Sequence, residues 1–174
     1  PGRTIDDYAS FIDFAPTFVE AAGLSWADTG MQPSPGRSLS DVFASSASGQ
    51  VNPARDHVLI GKERHDIGRP NDEGFPVRGI VKGDMLYLQN YETSRWPAGN
   101  PETGYLNCDG SPTKTEILQM RRDGTNTTFW KLAFGKRVAE GMFDVKSDRE
   151  CMNNLATETG YGAMKEKLRS QMLA

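Results

Sequence analysis

The spacing of apolar residues divides this chain near residue 55. Ahead of that point, residues 8–23 read as a short extended segment running into a helix. Phe14, Phe18 and Ala22 recur on one helical face, which Ala15 and Val19 widen. Asp13 is the expected N-cap, Pro16 is tolerated in the first turn, and Gly23 is a natural stop. Residues 29–56 are rich in Ser, Gly and Pro. They hold one short helical turn in "SLSDVF", capped by Ser38 or Ser40, and otherwise read as loop.

Beyond Arg55 the period shortens to that of strands. "HVLIG" is a strand by its β-branched content, and "FPVRGIVKGDMLYLQNY" is a hairpin. In the hairpin Val77, Gly79 and Val81 alternate with Arg78, Ile80 and Lys82, and Gly83 supplies the positive φ of the turn. Residues 92–112 form a long loop punctuated by Pro97, Pro101 and Pro112, whose Trp96, Tyr105 and Leu106 argue for order. Thr113 and Glu116 have capping-box spacing and open a helix through Arg121. "TTFWKLAFG" is a second short helix, with Asn126 ahead of it as an N-cap, although "NTT" also matches a glycosylation sequon. "EGMFDV" is the last strand. Met164, Leu168 and Met172, at i, i+4 and i+8, give a terminal amphipathic helix. Helix and loop first, then strands, then a helix describe an α+β fold: a small antiparallel sheet of about four strands packed by the C-terminal helix.

Composition alters this picture little. Apolar residues make up 37% of the chain and the net charge is −3, so a modest core is interrupted by polar loops. That balance gives no general attraction to nucleic acid or acidic lipid, and no run of 18 apolar residues is present to span a membrane. The opening "PGRTIDDYAS" has no apolar stretch of signal-peptide type, which is also what the interior of a longer polypeptide would show. Cys108 and Cys151 fit no metal or redox spacing; beside Met152, Cys151 reads as a buried free thiol, with a disulfide the alternative.

The densest charge lies in "GKERHDIGRP", residues 61–70, at the end of a strand. Read by itself, such a run is a solvated set of ion pairs among Glu63, Arg64, Asp66 and Arg69. Lys62 reads as solvent-facing, and Arg78 is expected to pair with Glu63 across the sheet. His57 lies eight residues before His65, too far for the close spacing of metal-ligand pairs, and reads as a surface or interdomain hydrogen bond.

Three separated segments resemble the sulfatases of the alkaline-phosphatase-like superfamily. "SFIDFAPTFVEAAGL" followed by "GRSL" is similar to their Asp-x-x-Pro-Thr, Leu-rich helix and Gly-Arg-Ser-Leu. "GMFDVKSDRECMNNLA" resembles their ending Glu-Leu-Tyr-Asp-Leu-x-x-Asp-Pro-x-Glu-x-x-Asn-Leu-Ala. Asp144, Asp148, Asn154, Leu155 and Ala156 match, while Gly141, Phe143 and Arg149 depart from it. Between them, "GKERHDIGRPNDEGFPVRGIV" and "RWPAGNPETGYLNCDGSPTKT" look like a bacterial branch of heparan N-sulfatases, the N-sulfoglucosamine sulfohydrolases.

The resemblance implies a parent enzyme that removes sulfate from a sulfated carbohydrate, with N-sulfoglucosamine of heparan-type glycans the leading substrate and a periplasmic or secreted location. The family's Cys-or-Ser-x-Pro-x-Arg motif begins at neither Cys108 nor Cys151. Formylglycine and calcium are therefore expected in an upstream catalytic domain of the same protein, and no catalytic residue in this chain. Residues 1–55 would be the C-terminal remnant of that α/β domain, and residues 56–174 the C-terminal subdomain. The chain alone should be inactive and should expose the apolar face of helix 14–22.

What is left for this region is to grip substrate. Arginine offers a planar fork to sulfate, and histidine donates to hydroxyls near neutral pH. The resemblance thus makes His65, Arg64 and Glu63 candidate substrate-binding residues, with Arg69 and Asp66 orienting them, against the ion-pair reading of the same residues. Trp96, Asn100 and Glu102 form a second candidate set, since aromatics stack on sugar rings while amides and carboxylates bind hydroxyls. The alternative is a loop pinned to its own domain by Trp96 and Tyr105. Two other functions fit the residues: part of a phosphate-ester hydrolase of the same superfamily, or a non-catalytic carbohydrate-binding module.

Overall fold

The structure is a computed structural model, and it describes residues 2–63, 71, 73–100, 102 and 110–174. A 3-10 turn, Phe11–Asp13, leads into helix α1, Phe14–Ala21, and α2 spans Ser40–Ala44. Asp13 occupies the N-cap position of α1, as expected, but its side chain makes no capping hydrogen bond to that helix. Its carboxylate turns away from the helix to accept the amides of Ser10 (3.1 Å) and Arg37 (2.9 Å) and the guanidinium of Arg55 (3.0 Å). One helical turn later, the Thr17 hydroxyl donates to the Asp13 carbonyl (2.6 Å) and accepts from the Leu39 amide (2.9 Å). Asp13 and Thr17 therefore clamp the main chain of Gly-Arg-Ser-Leu, residues 36–39. Gly36 is required there, because a Cβ would collide with the Ile12 carbonyl.

Arg55 closes the arrangement by donating to the carbonyls of Arg37 (2.9 Å) and Ser38 (2.6 Å). It ends a 3-10 turn, Pro53–Arg55, started by Asn52, whose side chain accepts from Ala54. Asp7 accepts the amides of Val51 and Asn52, and Arg3 reaches the carbonyls of Val42 and Ala47. The first 55 residues are thus held by polar contacts at long sequence separation, and the buried side of α1 is Thr17. Its apolar face lies outward, with Phe14 and Phe18 exposed, as are Phe11 and Ile12 of the preceding 3-10 turn.

The sheet is antiparallel, in the order β1-β2-β3-β4, with β1 at Val58–Lys62, β2 at Val77–Lys82, β3 at Met85–Asn90 and β4 at Glu140–Asp144. Registers such as Leu59–Ile80–Tyr87–Met142 set one row of side chains on a single face. Helix α5, Gly162–Leu173, covers that face, and Leu168 joins Ile80, Tyr87, Met142 and Ala156 in the core. Met172 packs at its margin, whereas Met164, expected on the same stripe, is exposed. Polar latches finish the joint. Tyr87 donates to Glu140 (2.6 Å), Lys165 of α5 pairs with Glu140 (3.1 Å), and Lys82 donates to Gln171 (2.8 Å). The N-terminal region meets the sheet where the Tyr8 hydroxyl donates to the Gly83 carbonyl (2.8 Å) in the β2–β3 turn.

Two short helices separate β3 from β4: α3, Pro112–Arg122, and α4, Thr128–Phe134. Ser111 caps α3 by accepting the Lys114 amide (3.1 Å), with Pro112 at the first helical position, so Thr113 lies inside the helix. Ahead of α4 the Asn126 side chain accepts the Thr128 amide (2.8 Å). The architecture is the expected α+β fold, a four-stranded antiparallel sheet packed by the C-terminal helix.

Candidate functional site

The C-terminal end of β1, the N-terminal end of β2, the C-terminal end of β3 and the N-terminal end of β4 lie at one end of the antiparallel sheet. This places the described residues that flank the β1–β2 connection beside those that follow β3. The two segments are stitched together. Arg95 donates to the Gly74 carbonyl (2.9 Å) and pairs with Glu73 (3.3 Å) and Glu92 (3.8 Å). Lys62, far from pointing into solvent, is half-buried with its ammonium 3.5 Å from the Pro97 carbonyl. Glu63, at the end of β1, and Trp96, next to Pro97, thus lie toward the same end of the sheet.

Glu63 accepts from Arg78 at 2.7 Å, the cross-strand pair expected from their positions, with both side chains exposed. Arg64, His65, Asp66 and Arg69 lie outside the described residues, as do Tyr105, Leu106 and Cys108. Glu102 is gripped by two arginines of α3, Arg121 at 2.7 Å and Arg122 at 2.9 Å. The Arg122 hydrogen bond, aided by both positive charges and opposed by slight burial, holds its carboxyl below the usual range. The Asn100 side chain accepts the Glu102 amide (3.0 Å).

Trp96 stands edge-on to Trp130 of α4, with ring centres 5.8 Å apart. Arg121 lies 4.0 Å over the Trp130 ring, and Lys136 lies 5.0 Å over Trp96. Two tryptophans and two cations therefore form one wall beside the loop. Trp130, Arg121 and Lys136 were not singled out in the sequence. Their only signal there is a cluster of cations and aromatics in residues 121–137, which carries no periodicity.

Across the sheet from α5 is a hollow of about 390 Å³. Phe75, Leu88 and Phe143 form its apolar floor, and Lys62, Arg137 and Pro97 stand among the lining residues. Gly79 permits this floor, since a Cβ there would meet Leu88 Cδ2 at 2.6 Å and Ile60 Cγ1 at 2.9 Å. An apolar floor with cationic neighbours suits a ring that presents one apolar face and an anionic substituent. Cys151 also lines the hollow. It is free and half-buried at φ 52°, and burial, reinforced by Asp148 and Glu150, pushes its thiol up.

At the opposite end of β1, His57 Nδ1 lies 2.6 Å from Asp56 Oδ1 and 3.0 Å from the Gln171 amide nitrogen of α5. Lys82 pairs with the other Asp56 oxygen. Hydrogen bonds from Lys82 first and His57 second lower the Asp56 carboxyl to about 2. His57 therefore belongs to the joint between sheet and α5. Among the described residues no group of three or more His, Cys, Asp or Glu side chains is placed to hold a metal ion, and no helix is long and apolar enough to cross a membrane.

No family model and no curated protein matches the chain. Its fold is similar to the solved structure of BT4656 in complex with its substrate D-glucosamine-2-N,6-O-disulfate, with a TM-score of 0.50 and 18% identity. The match covers 92% of this chain and 22% of that one, so this chain corresponds to under a quarter of its neighbour's length.

Proposed function

We propose that this chain is the C-terminal region of a sulfatase acting on a sulfated carbohydrate, with N-sulfoglucosamine of heparan-type glycans as the preferred substrate. The observation that carries the reading is the fold likeness over 92% of the chain to a protein whose substrate is a sulfated glucosamine. In this reading the residues after β1 and after β3 form the rim that grips the sugar. Arg64 and His65 contact substrate, Glu63 is positioned by Arg78, and Arg69 and Asp66 orient them. Trp96, Asn100 and Glu102 border the same rim, with Glu102 held by Arg121 and Arg122. Calcium and formylglycine belong to the preceding catalytic domain, which residues 1–55 would complete while residues 56–174 form the subdomain. The outward apolar face of α1 would then pack within that domain.

The test is made in the parent protein. Arg64→Ala and His65→Ala are expected to raise KM for an N-sulfated glucosamine or lower its turnover by about tenfold or more, with thermal stability changed by less than about 1 kcal/mol. Unchanged kinetics with a lowered melting temperature would assign these residues to structural ion pairing. Greater activity on phosphate monoesters than on sulfated sugars would favour the phosphate-ester hydrolase.

A further inference from the structure

Arg121, near the end of α3, joins two of the proposed substrate-binding residues. Its Nη1 donates to Glu102 Oε1 (2.7 Å). The same guanidinium lies 4.0 Å over the ring of Trp130, and Trp130 meets Trp96 at 78° with ring centres 5.8 Å apart. One cation thus serves a carboxylate with its N–H groups and an aromatic ring with its charge.

The α3–α4 corner builds this contact. Gly124 takes φ 71°, where glycine is favoured, and the amides of Thr125 and Asn126 both return to the Met120 carbonyl (3.1 and 3.3 Å). The Asn126 side chain then accepts the Thr128 amide (2.8 Å) as α4 begins. Along α4, Trp130 and Phe134 are four residues apart on one face, and both are buried. The Trp130 ring is therefore a fixed slab, against which the corner lays Arg121. Arg122 grips the same carboxylate, through Nη2 at 2.9 Å and Nε at 3.3 Å, but the ring contact is that of Arg121. Held by both cations, Glu102 stays ionised and meets a hydroxyl as an acceptor only. Trp96 is held by Trp130 and by Lys136, whose ammonium lies 5.0 Å over its ring.

We propose that Arg121 is a positioning residue for substrate binding. It sets Glu102 directly and Trp96 through Trp130, so that a hydroxyl acceptor and a stacking ring are presented to the sugar in one arrangement. The inference rests on the reading of this rim as a sugar site. Arg121 acts through Glu102 and Trp96 and need not itself touch the sugar.

The test has two arms. In this whole chain the three tryptophans give three indole N–H resonances, assigned with Trp26→Phe, Trp96→Phe and Trp130→Phe. Arg121→Ala should shift the resonance of Trp96 as well as that of Trp130. Arg122→Ala should leave Trp96 in place, and Arg121→Lys, which keeps the charge, should restore it in part. Arg121→Gln, which keeps a donor for Glu102 and loses the charge over the ring, serves if Arg121→Ala does not fold. In the proposed parent enzyme, Arg121→Ala should raise KM for an N-sulfated glucosamine by about tenfold while kcat changes by less than about twofold. Adding Trp96→Phe should then cost less than the product of the two single effects. A Trp96 resonance that does not move, or that moves equally with Arg121→Ala and Arg122→Ala, would overturn the positioning of Trp96 whatever the rim binds. A resonance that moves while KM does not would leave the contact standing and overturn its role in binding, together with the sugar-site reading of the rim.

Discussion

Asp13 and Arg55, 42 positions apart, form a 3.0 Å ion pair with side chains only 7% and 1% exposed. Burial alone would raise the Asp13 carboxyl. The amides of Arg37 and Ser10 and the Arg55 guanidinium outweigh it and hold the group below the usual carboxylate range. The pair thus organises three segments: the entry to α1, the Gly-Arg-Ser-Leu stretch and the turn at 53–55. One atom, Arg55 Nε, has no partner. Arg55→Ala removes three hydrogen-bond acceptors' partner and leaves Asp13 short of its cation. Chemical denaturation should show a loss of about 3–5 kcal/mol, as for a broken buried pair. The double variant Asp13→Leu/Arg55→Met should lose less than the two single variants together.

The face of α5 gives a second test. Leu168 is 4% exposed within the core of Ile80, Tyr87 and Met142, while Met164 is 44% exposed. Leu168→Ala should destabilise by about 2–5 kcal/mol, and Met164→Ala by less than about 0.5 kcal/mol. Equal losses in equilibrium unfolding would mean that α5 packs by the whole stripe of its sequence repeat.

Those contrasts show where the sequence is legible. The hairpin is readable because period-two alternation and Gly83 both act locally. The Glu63–Arg78 pair is readable because adjacent strands bring it together. Met164 is misplaced by the repeat because α5 begins at Gly162, and its first turn extends beyond the core it covers. Asp13 has an N-cap's position and chemistry, yet a partner in the distant turn at 53–55 claims it, and no local pattern announces that partner. Ser111 takes the cap expected of Thr113 because a proline at 112 is best placed just after the cap. At the candidate site, Glu102 with Arg121 and Arg122, and Trp96 with Trp130, meet across an irregular loop that has no periodicity to read. Arg64 and His65 lie outside the described residues, so their roles rest on the resemblance.

Acid should loosen the joint between the sheet and α5. The Tyr87 hydroxyl chiefly, against the effect of burial and with Lys165 adding to it, lowers Glu140 from its ordinary value of 4.5. Lys82 and His57 lower Asp56 from 3.8 to about 2. Both folded values lie below the unfolded ones. Their stabilisation is therefore complete above the unfolded values and is lost as pH falls through the folded ones. The melting temperature should change little between about pH 7 and 5 on account of these groups, then drop below about pH 4.5. Asp56→Asn should flatten the lower part of the decline, down to about pH 2. A drop of unchanged size in that variant would assign the acid sensitivity elsewhere.

Arg95 is the test of the site's architecture. It alone, among the described residues after β3, reaches the Gly74 carbonyl and the Glu73 carboxylate beside β2. Its guanidinium is about 30% exposed in those pairs, so its contribution to global stability is modest. Arg95→Ala should lower unfolding stability by less than about 1 kcal/mol. Locally it should do more, because its bonds to the Gly74 carbonyl and the Glu73 carboxylate tie the Glu92–Arg95 turn to residues 73–74. Amide exchange at residues 73–76 and 92–96 should speed up by about tenfold while the β3–β4 amides keep their rates. In the proposed parent enzyme the same variant should raise KM more than it lowers kcat, since it would loosen the rim proposed to bind substrate without touching the reacting atoms. Unchanged exchange at both segments would show that the two halves of the rim are positioned independently, and the shared end of the sheet would then be proximity without coupling.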